Sequence, residues 1–207
     1  MARHPVLRPR IAAAALAEDP VLRPWIERIG PVRIPRRTDP PFEYLARAIC
    51  YQQLAGAAAK TIHGRFVTAL GGAVRPGTVL HAAESDLRAA GLSAAKLRAI
   101  RDLAGKAVSG EVPLDDLEDL PDQHVVDRLT RVVGIGEWTA QMFLLFRLRR
   151  PDVWPTGDLG VRAGYARMHE LVEVPAARDM AALGEPFRPW RSAAAWYCYR
   201  ALDLGDV

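Results

Sequence analysis

An all-α fold is predicted for this chain, built as two helical lobes with a central cleft. Three observations predict it. Apolar residues recur every three or four positions in one segment after another. No stretch keeps the strict alternation of a half-buried strand. Glycines close two of the periodic segments, at Gly71-Gly72 and Gly110, as helix ends require. The 207 residues, half of them hydrophobic, suffice for one large domain or two small lobes with a substantial core.

The elements follow in order. The start, MARHPVLRPRIAAAALAEDP, loosely imitates a signal peptide. Its apolar stretch is short and Glu18-Asp19 follows at once, so one or two short amphipathic helices are expected instead. PVRIPRRTDPP then reads as an extended connection. Phe42, Leu45, Ala46 and Ile49 return at helical spacing, and a second helix runs through AAAKTIHGRFVTAL to Gly71-Gly72. Leu97, Ile100, Leu103, Ala104, Ala107 and Val108 carry the next helix, capped by Ser93 and stopped at Gly110. Asp122 to Val133 repeats the pattern with Val125, Val126, Leu129 and Val132 inward. A helix from Glu137 to Arg149 would be ~20 Å long. Further helices are expected near Asp158, after Pro175, and from Trp190 to Leu202.

Charge and composition narrow the chemistry. The net charge is +4, and the only lysines are Lys60, Lys96 and Lys106. Arginine therefore carries nearly all the positive charge, which suits phosphate recognition through its planar fork, although a GC-rich genome would give the same bias. Cys50 and Cys198 cannot build a disulfide framework or a thiolate cluster. The five histidines show no metal-ligand spacing. No run is long enough to span a membrane, and a cytoplasmic, nucleoid-associated location is expected.

The most informative stretch is VVGIGEWTAQMFLLF. Gly134-Ile135-Gly136 joins two helices tightly, with Ile135 at the tip between them. The amides opening the second helix, near Glu137, point outward, and a phosphate is a natural guest at such a helix start. On their own the two glycines are better explained by a plain helical hairpin. The longer string L-x-x-V-x-G-I-G-x-W-T-A, Leu129 to Ala140, goes further, and the Gly/Pro-rich loop RRPDVWPTGDLGV follows it.

Together with AICYQQLAGAAAKTIHGRF, GLSAAKLRAIRDLA and FRPWRSAAAWYCYRAL, these strings resemble the helix-hairpin-helix (HhH-GPD) DNA glycosylase superfamily over roughly Phe42 to Leu202. The DNA-3-methyladenine glycosylase II branch is the best match. The resemblance implies a single unit over 1–207, with a wedge lobe at 40–110 and a lobe at 111–170 carrying the hairpin and catalytic loop. Segments 1–39 and 171–207 would complete the second lobe. It implies base excision repair: hydrolysis of the N-glycosidic bond of alkylated purines such as 3-methyladenine after the base is flipped from a DNA duplex.

It places the catalytic aspartate on Asp158, a residue that composition alone reads as a helix N-cap. Asp152, earlier in the loop, suits a turn better. It puts DNA contacts at Gly134, Ile135, Gly136 and Thr139. The wedge falls on Gln53, with Leu54 second; the residues alone read equally well as a solvated helix end at Gln52-Gln53. Trp138, Tyr199 and Met142 would line the base pocket, an aromatic setting that attracts a cationic base. Trp154, Trp190 and Trp196 suit core packing as well. Relatives hold a monovalent cation, Na+ or K+, on hairpin carbonyls, here those of Thr130, Val132 and Ile135; no other cofactor is implied. Trp138 stands where strand-cutting relatives carry a Schiff-base lysine, so no lyase activity is expected. The expected partner is double-stranded DNA with damaged bases, gripped by a monomer. Two alternatives remain: a non-catalytic helix-hairpin-helix DNA-binding module, and a glycosylase for oxidised or deaminated bases.

Overall fold

Proline at a first helical turn and glycine past the last one delimit much of the architecture. A computed structural model describes residues 4–204. Its helices are α1 (Pro9–Leu16), α2 (Leu22–Ile29), α3 (Pro41–Tyr51), α4 (Gly56–Ala69), α5 (Pro76–His81), α6 (Glu84–Ala89), α7 (Ala94–Ser109), α8 (Asp122–Leu129), α9 (Glu137–Met142), α10 (Leu159–Met168), α11 (Met180–Leu183) and α12 (Arg191–Asp203). The described residues contain no strand. None of the described helices is long and apolar enough to cross a membrane.

Proline marks several helix starts, and the Ser93 cap and Gly110 stop act as expected. Pro9, Pro41 and Pro76 open α1, α3 and α5 at a position whose amide needs no intrahelical partner. Ser93 caps α7, its side chain accepting from Lys96 N–H at 3.2 Å, and Gly110 ends that helix at φ +77°. Other elements depart from expectation. The helix from Asp122 closes at Leu129, with Thr130 as its C-cap, four residues before Val133. Between Pro175 and α12 the described chain forms just the single turn of α11 and a 3-10 turn, Glu185–Phe187.

The run from Glu137 is not one α-helix. Past Met142 it loosens into a π-helical turn, Phe143–Arg147, where Leu148 N–H donates to the Phe143 carbonyl five residues back at 3.0 Å. Arg149 then sits at φ +56°, a left-handed conformation that ends the element.

Two compact units result. The first comprises Thr38–Ala140. Its core gathers Leu45, Ile49, Phe66, Leu87, Ile100, Leu103, Leu117 and Leu129, all fully buried. Each contributes about 1.5–3 kcal/mol by leaving water. Helix α7 supports α3 and α5. The second unit joins His4–Arg37 to the chain from Gln141 onward. Segment 111–140, which the sequence assigns to the lobe of the catalytic loop, thus folds with Thr38 onward.

Helix α12 organises the second unit, packing against α1, α2 and α10. Its small residues Ser192, Ala193, Ala194, Ala195 and Ala201 are buried, and the Tyr197 hydroxyl donates to the Gly30 carbonyl at 3.0 Å. Gly164 of α10 meets α12 so closely that a Cβ there would lie 2.1 Å from the Cys198 carbonyl oxygen.

Candidate functional site

In the first unit the hairpin is held from behind by one face of α7. Lys96, Ala99, Asp102 and Lys106 recur at helical spacing along it. The Asp102 carboxylate accepts from Val133 N–H at 2.8 Å, and the Lys106 ammonium donates to the Arg131 carbonyl at 2.6 Å while pairing with Asp102 at 3.1 Å. Gly134 takes φ +81°, and a Cβ on it would meet the Ala99 Cβ at 2.9 Å. Glycine is therefore required there twice, by dihedral and by contact. Gly136 has an ordinary φ and open space around it, so only the first glycine is demanded by the turn.

Ile135 is 3% exposed and Thr139 is 6% exposed. Their side chains belong to the interior of the hairpin, so those positions can offer a partner little beyond backbone groups. Gly134, Gly136 and Trp138 are exposed, Trp138 to 48%. The Val132 carbonyl accepts from Ile135 N–H at 3.1 Å and keeps a second lone pair. Such neutral oxygens fit a hard monovalent cation. The described residues contain no group of three or more His, Cys, Asp or Glu suited to a metal.

The C-terminal end of α3 presents Gln53, Leu54 and Ala55 to solvent. Gln53 has φ +55°, rare for a residue with a side chain. Its neighbour Gln52, which sequence reasoning leaves at a solvated helix end, instead turns inward. The Gln52 side-chain amide donates to the Gly134 carbonyl at 3.0 Å and to the Thr139 hydroxyl at 3.4 Å. No sequence signal announces this bond, because its partners lie 82 and 87 residues away.

In the second unit the loop before α10 is pinned along its length. Ser192 N–H donates to the Pro151 carbonyl at 3.0 Å, and Val153 N–H donates to the Ser192 hydroxyl at 2.9 Å. Trp154 is buried against Tyr165 and Phe187, its indole N–H donating to the Met180 carbonyl at 2.6 Å. It belongs to the core, as does Trp196. Asp152 pairs with Arg188 and Arg191, both at 2.6 Å, and so is spent on fixing the start of α12.

Asp158 ends that loop at 7% exposure. Its Oδ1 accepts from Val161 N–H at 2.8 Å, so it is the N-cap of α10. A cap bond occupies one oxygen and fixes the direction of the carboxylate. Tyr199 lies beside it. A Cβ on Gly160 would sit 2.9 Å from Tyr199 Cε1 and 3.1 Å from Asp158 Oδ1. Burial, then the Asp158 carboxylate, hold the Tyr199 phenol well above the usual tyrosine range. The Tyr199 hydroxyl is 3.7 Å from Met142 Sδ, and Phe146 is a ring neighbour at 6.2 Å. Met142, Asp158 and Tyr199 are thus brought together by the second unit. The spacing of Gly160 and Gly164 on α10 makes this possible, and sequence reasoning passed it over.

Known proteins share this fold. The family model for HhH-GPD superfamily base excision DNA repair proteins matches residues 46–189. DNA-3-methyladenine glycosylase 1 of Schizosaccharomyces pombe is 36% identical over 169 residues, covering 80% of this chain and 74% of that one. The solved 3-methyladenine DNA glycosylase of the same yeast, in complex with abasic DNA, superposes with a TM-score of 0.86 at 32% identity, over 95% of this chain and 98% of that one. A DNA-3-methyladenine glycosidase from Bacillus halodurans gives a TM-score of 0.82 at 31% identity, over 97% and 92% of the two chains. The chain belongs to the HhH-GPD superfamily of base excision DNA repair proteins.

Proposed function

We propose that this protein is a DNA glycosylase that binds damaged duplex as a monomer, flips out an alkylated purine such as 3-methyladenine, and hydrolyses its bond to deoxyribose. The observation that carries the catalytic assignment is the buried Asp158 carboxylate, fixed by its cap bond and set beside Tyr199, whose hydroxyl in turn meets Met142. The names of the relatives supply the substrate class.

Alkylation makes the base cationic, so the C1′–N bond breaks with its electron pair leaving on a neutral purine. Positive charge develops on the sugar, and a fixed carboxylate in a water-poor setting stabilises it. Water adds its oxygen to C1′, and its proton passes to Asp158 and then to solvent. Exposed Gly134 and Gly136 offer backbone to the phosphates, and the exposed Gln53, with Leu54 as second choice, fills the gap left by the base. The carbonyls of Thr130, Val132 and Ile135 would hold a monovalent cation whose charge draws a phosphate to the turn. Trp138 has no amine for a Schiff base, so the product is an abasic site in an uncut strand.

Methylated genomic DNA and mass spectrometry of released bases test the proposal. Release of methylpurines, with nicks only after hot alkali, is the expected result. Asp158→Asn should slow release by at least ~10²-fold while retaining most duplex binding. Near-normal turnover by that variant removes Asp158 from the role.

A further inference from the structure

We infer that Gln52 is a positioning residue, whose side chain registers the exposed tip Gln53–Ala55 against the Gly134–Gly136 turn so that both meet DNA as one rigid surface. The inference rests on the DNA-binding reading given above.

Three observations carry it. A side-chain amide nitrogen has two N–H donors, and Gln52 directs its own to the Gly134 carbonyl at 3.0 Å and the Thr139 hydroxyl at 3.4 Å. Those acceptors bracket the turn: Gly134 is its left-handed residue, and Thr139 is buried in the first turn of α9. The very next residue, Gln53, is held at φ +55°. A strained conformation of that kind persists only where its surroundings over-determine it, and the Gln52 bonds supply that restraint from outside the tip.

The other side of the joint is anchored as well. Lys96 of α7 donates to the Cys50 carbonyl at 2.8 Å, fixing the last turn of α3. Burial lowers the affinity of that ammonium for its proton. Helix α7 also holds the hairpin, through Asp102 and Lys106. Gln52 therefore closes a ring: α3 to α7, α7 to the hairpin, hairpin to α3. Opening one bond of a ring lets the tip and turn drift separately, though each stays attached. Glutamine suits the post because it is long enough to cross and donates rather than accepts. Glutamate would set a carboxylate against the Gly134 carbonyl.

Gln52→Ala and Gln52→Glu test the inference. Lesion duplexes carrying 2-aminopurine beside the damaged base report flipping, and single-turnover rates report chemistry. Hydrogen exchange in the free protein reports segments 53–56 and 131–136. Both variants should lose about ten- to a hundredfold in flipping and single-turnover rate, with binding to undamaged duplex held within about twofold. Exchange should quicken in both segments together. Unchanged flipping and rate would overturn the inference. So would a loss that only tracks thermal stability or undamaged-duplex binding. If the wild-type protein releases no alkylated base, the reading of function fails, and exchange alone decides: no change at 131–136 in either variant overturns the role of Gln52.

Discussion

At Gly164 the chain has no room for a methyl group, and at Gly160, one helical turn earlier, it has almost none. The two positions differ in what stands in the way. At Gly164 the obstacle is backbone: the Cys198 carbonyl oxygen would be 2.1 Å from an added Cβ. At Gly160 it is the Tyr199 ring at 2.9 Å and the Asp158 carboxylate at 3.1 Å. Alanine inside a helix gains about 1 kcal/mol of propensity over glycine. At Gly164 the separation of α10 from α12 outweighs that gain, and Gly164→Ala should destabilise by about 3 kcal/mol or more. At Gly160 a side chain can swing, so the overpacking cost of about 1 kcal/mol nearly cancels the gain. Gly160→Ala should keep its thermal midpoint yet release alkylated bases at least ~10-fold more slowly, because Tyr199 and Asp158 move. Denaturant titration and single-turnover assays separate the two cases. A destabilised Gly160→Ala, or one with full activity, would break this account.

Elements differ in what their stability asks of a residue, and the hairpin shows it. Gly134→Ala must accept φ +81° and a 2.9 Å approach to Ala99 on the rigid face of α7. It should cost about 1–3 kcal/mol, whereas Gly136→Ala, with ordinary φ and open space, should stay within about 0.5 kcal/mol. Equal losses in urea unfolding would show that the turn demands both glycines. Sequence alone made the two look alike, since a glycine pair does not say which dihedral is left-handed.

The same limit runs through the other elements. Helices α3, α4 and α7 are long enough for an apolar period to declare itself, and Gly71, Gly72 and Gly110 mark the ends of α4 and α7 with positive φ. Helices α5 and α6 are six residues each, too short for a period, and went unread. The π-helical turn at Phe143–Arg147 has the same apolar pattern as an α-helix and cannot be told from one by spacing. Asp158 was legible as a cap, which its bond from Val161 N–H bears out, while the catalytic role implied by its loop string rests on the family resemblance. Gln52 was not legible, because its worth lies in partners that only folding supplies.

At the scale of the molecule each unit carries one histidine whose burial sets a pH response. His63, in the first unit, lies by the rings of Tyr51 and Phe66 and near Arg47; its Nε2 is buried without a hydrogen bond among the described residues. His169, in the second, stacks on Tyr165 at 4.0 Å, and its Nε2 is likewise buried without a partner. Burial lowers both from the ordinary 6.5, helped at His63 by Arg47 and opposed at His169 by Asp19. A lowered value means that the unfolded chain takes up protons first as pH falls. The stability tied to each neutral ring is complete above 6.5 and is lost as pH drops toward the folded-state value. The thermal midpoint should therefore fall between about pH 7.5 and about pH 5. His63→Phe and His169→Phe keep an aromatic ring and cannot titrate, so each should flatten part of that slope, and the double variant most of the histidine contribution. Slopes unchanged in all three variants would assign the acid sensitivity to other groups and leave the two half-buried rings as packing alone.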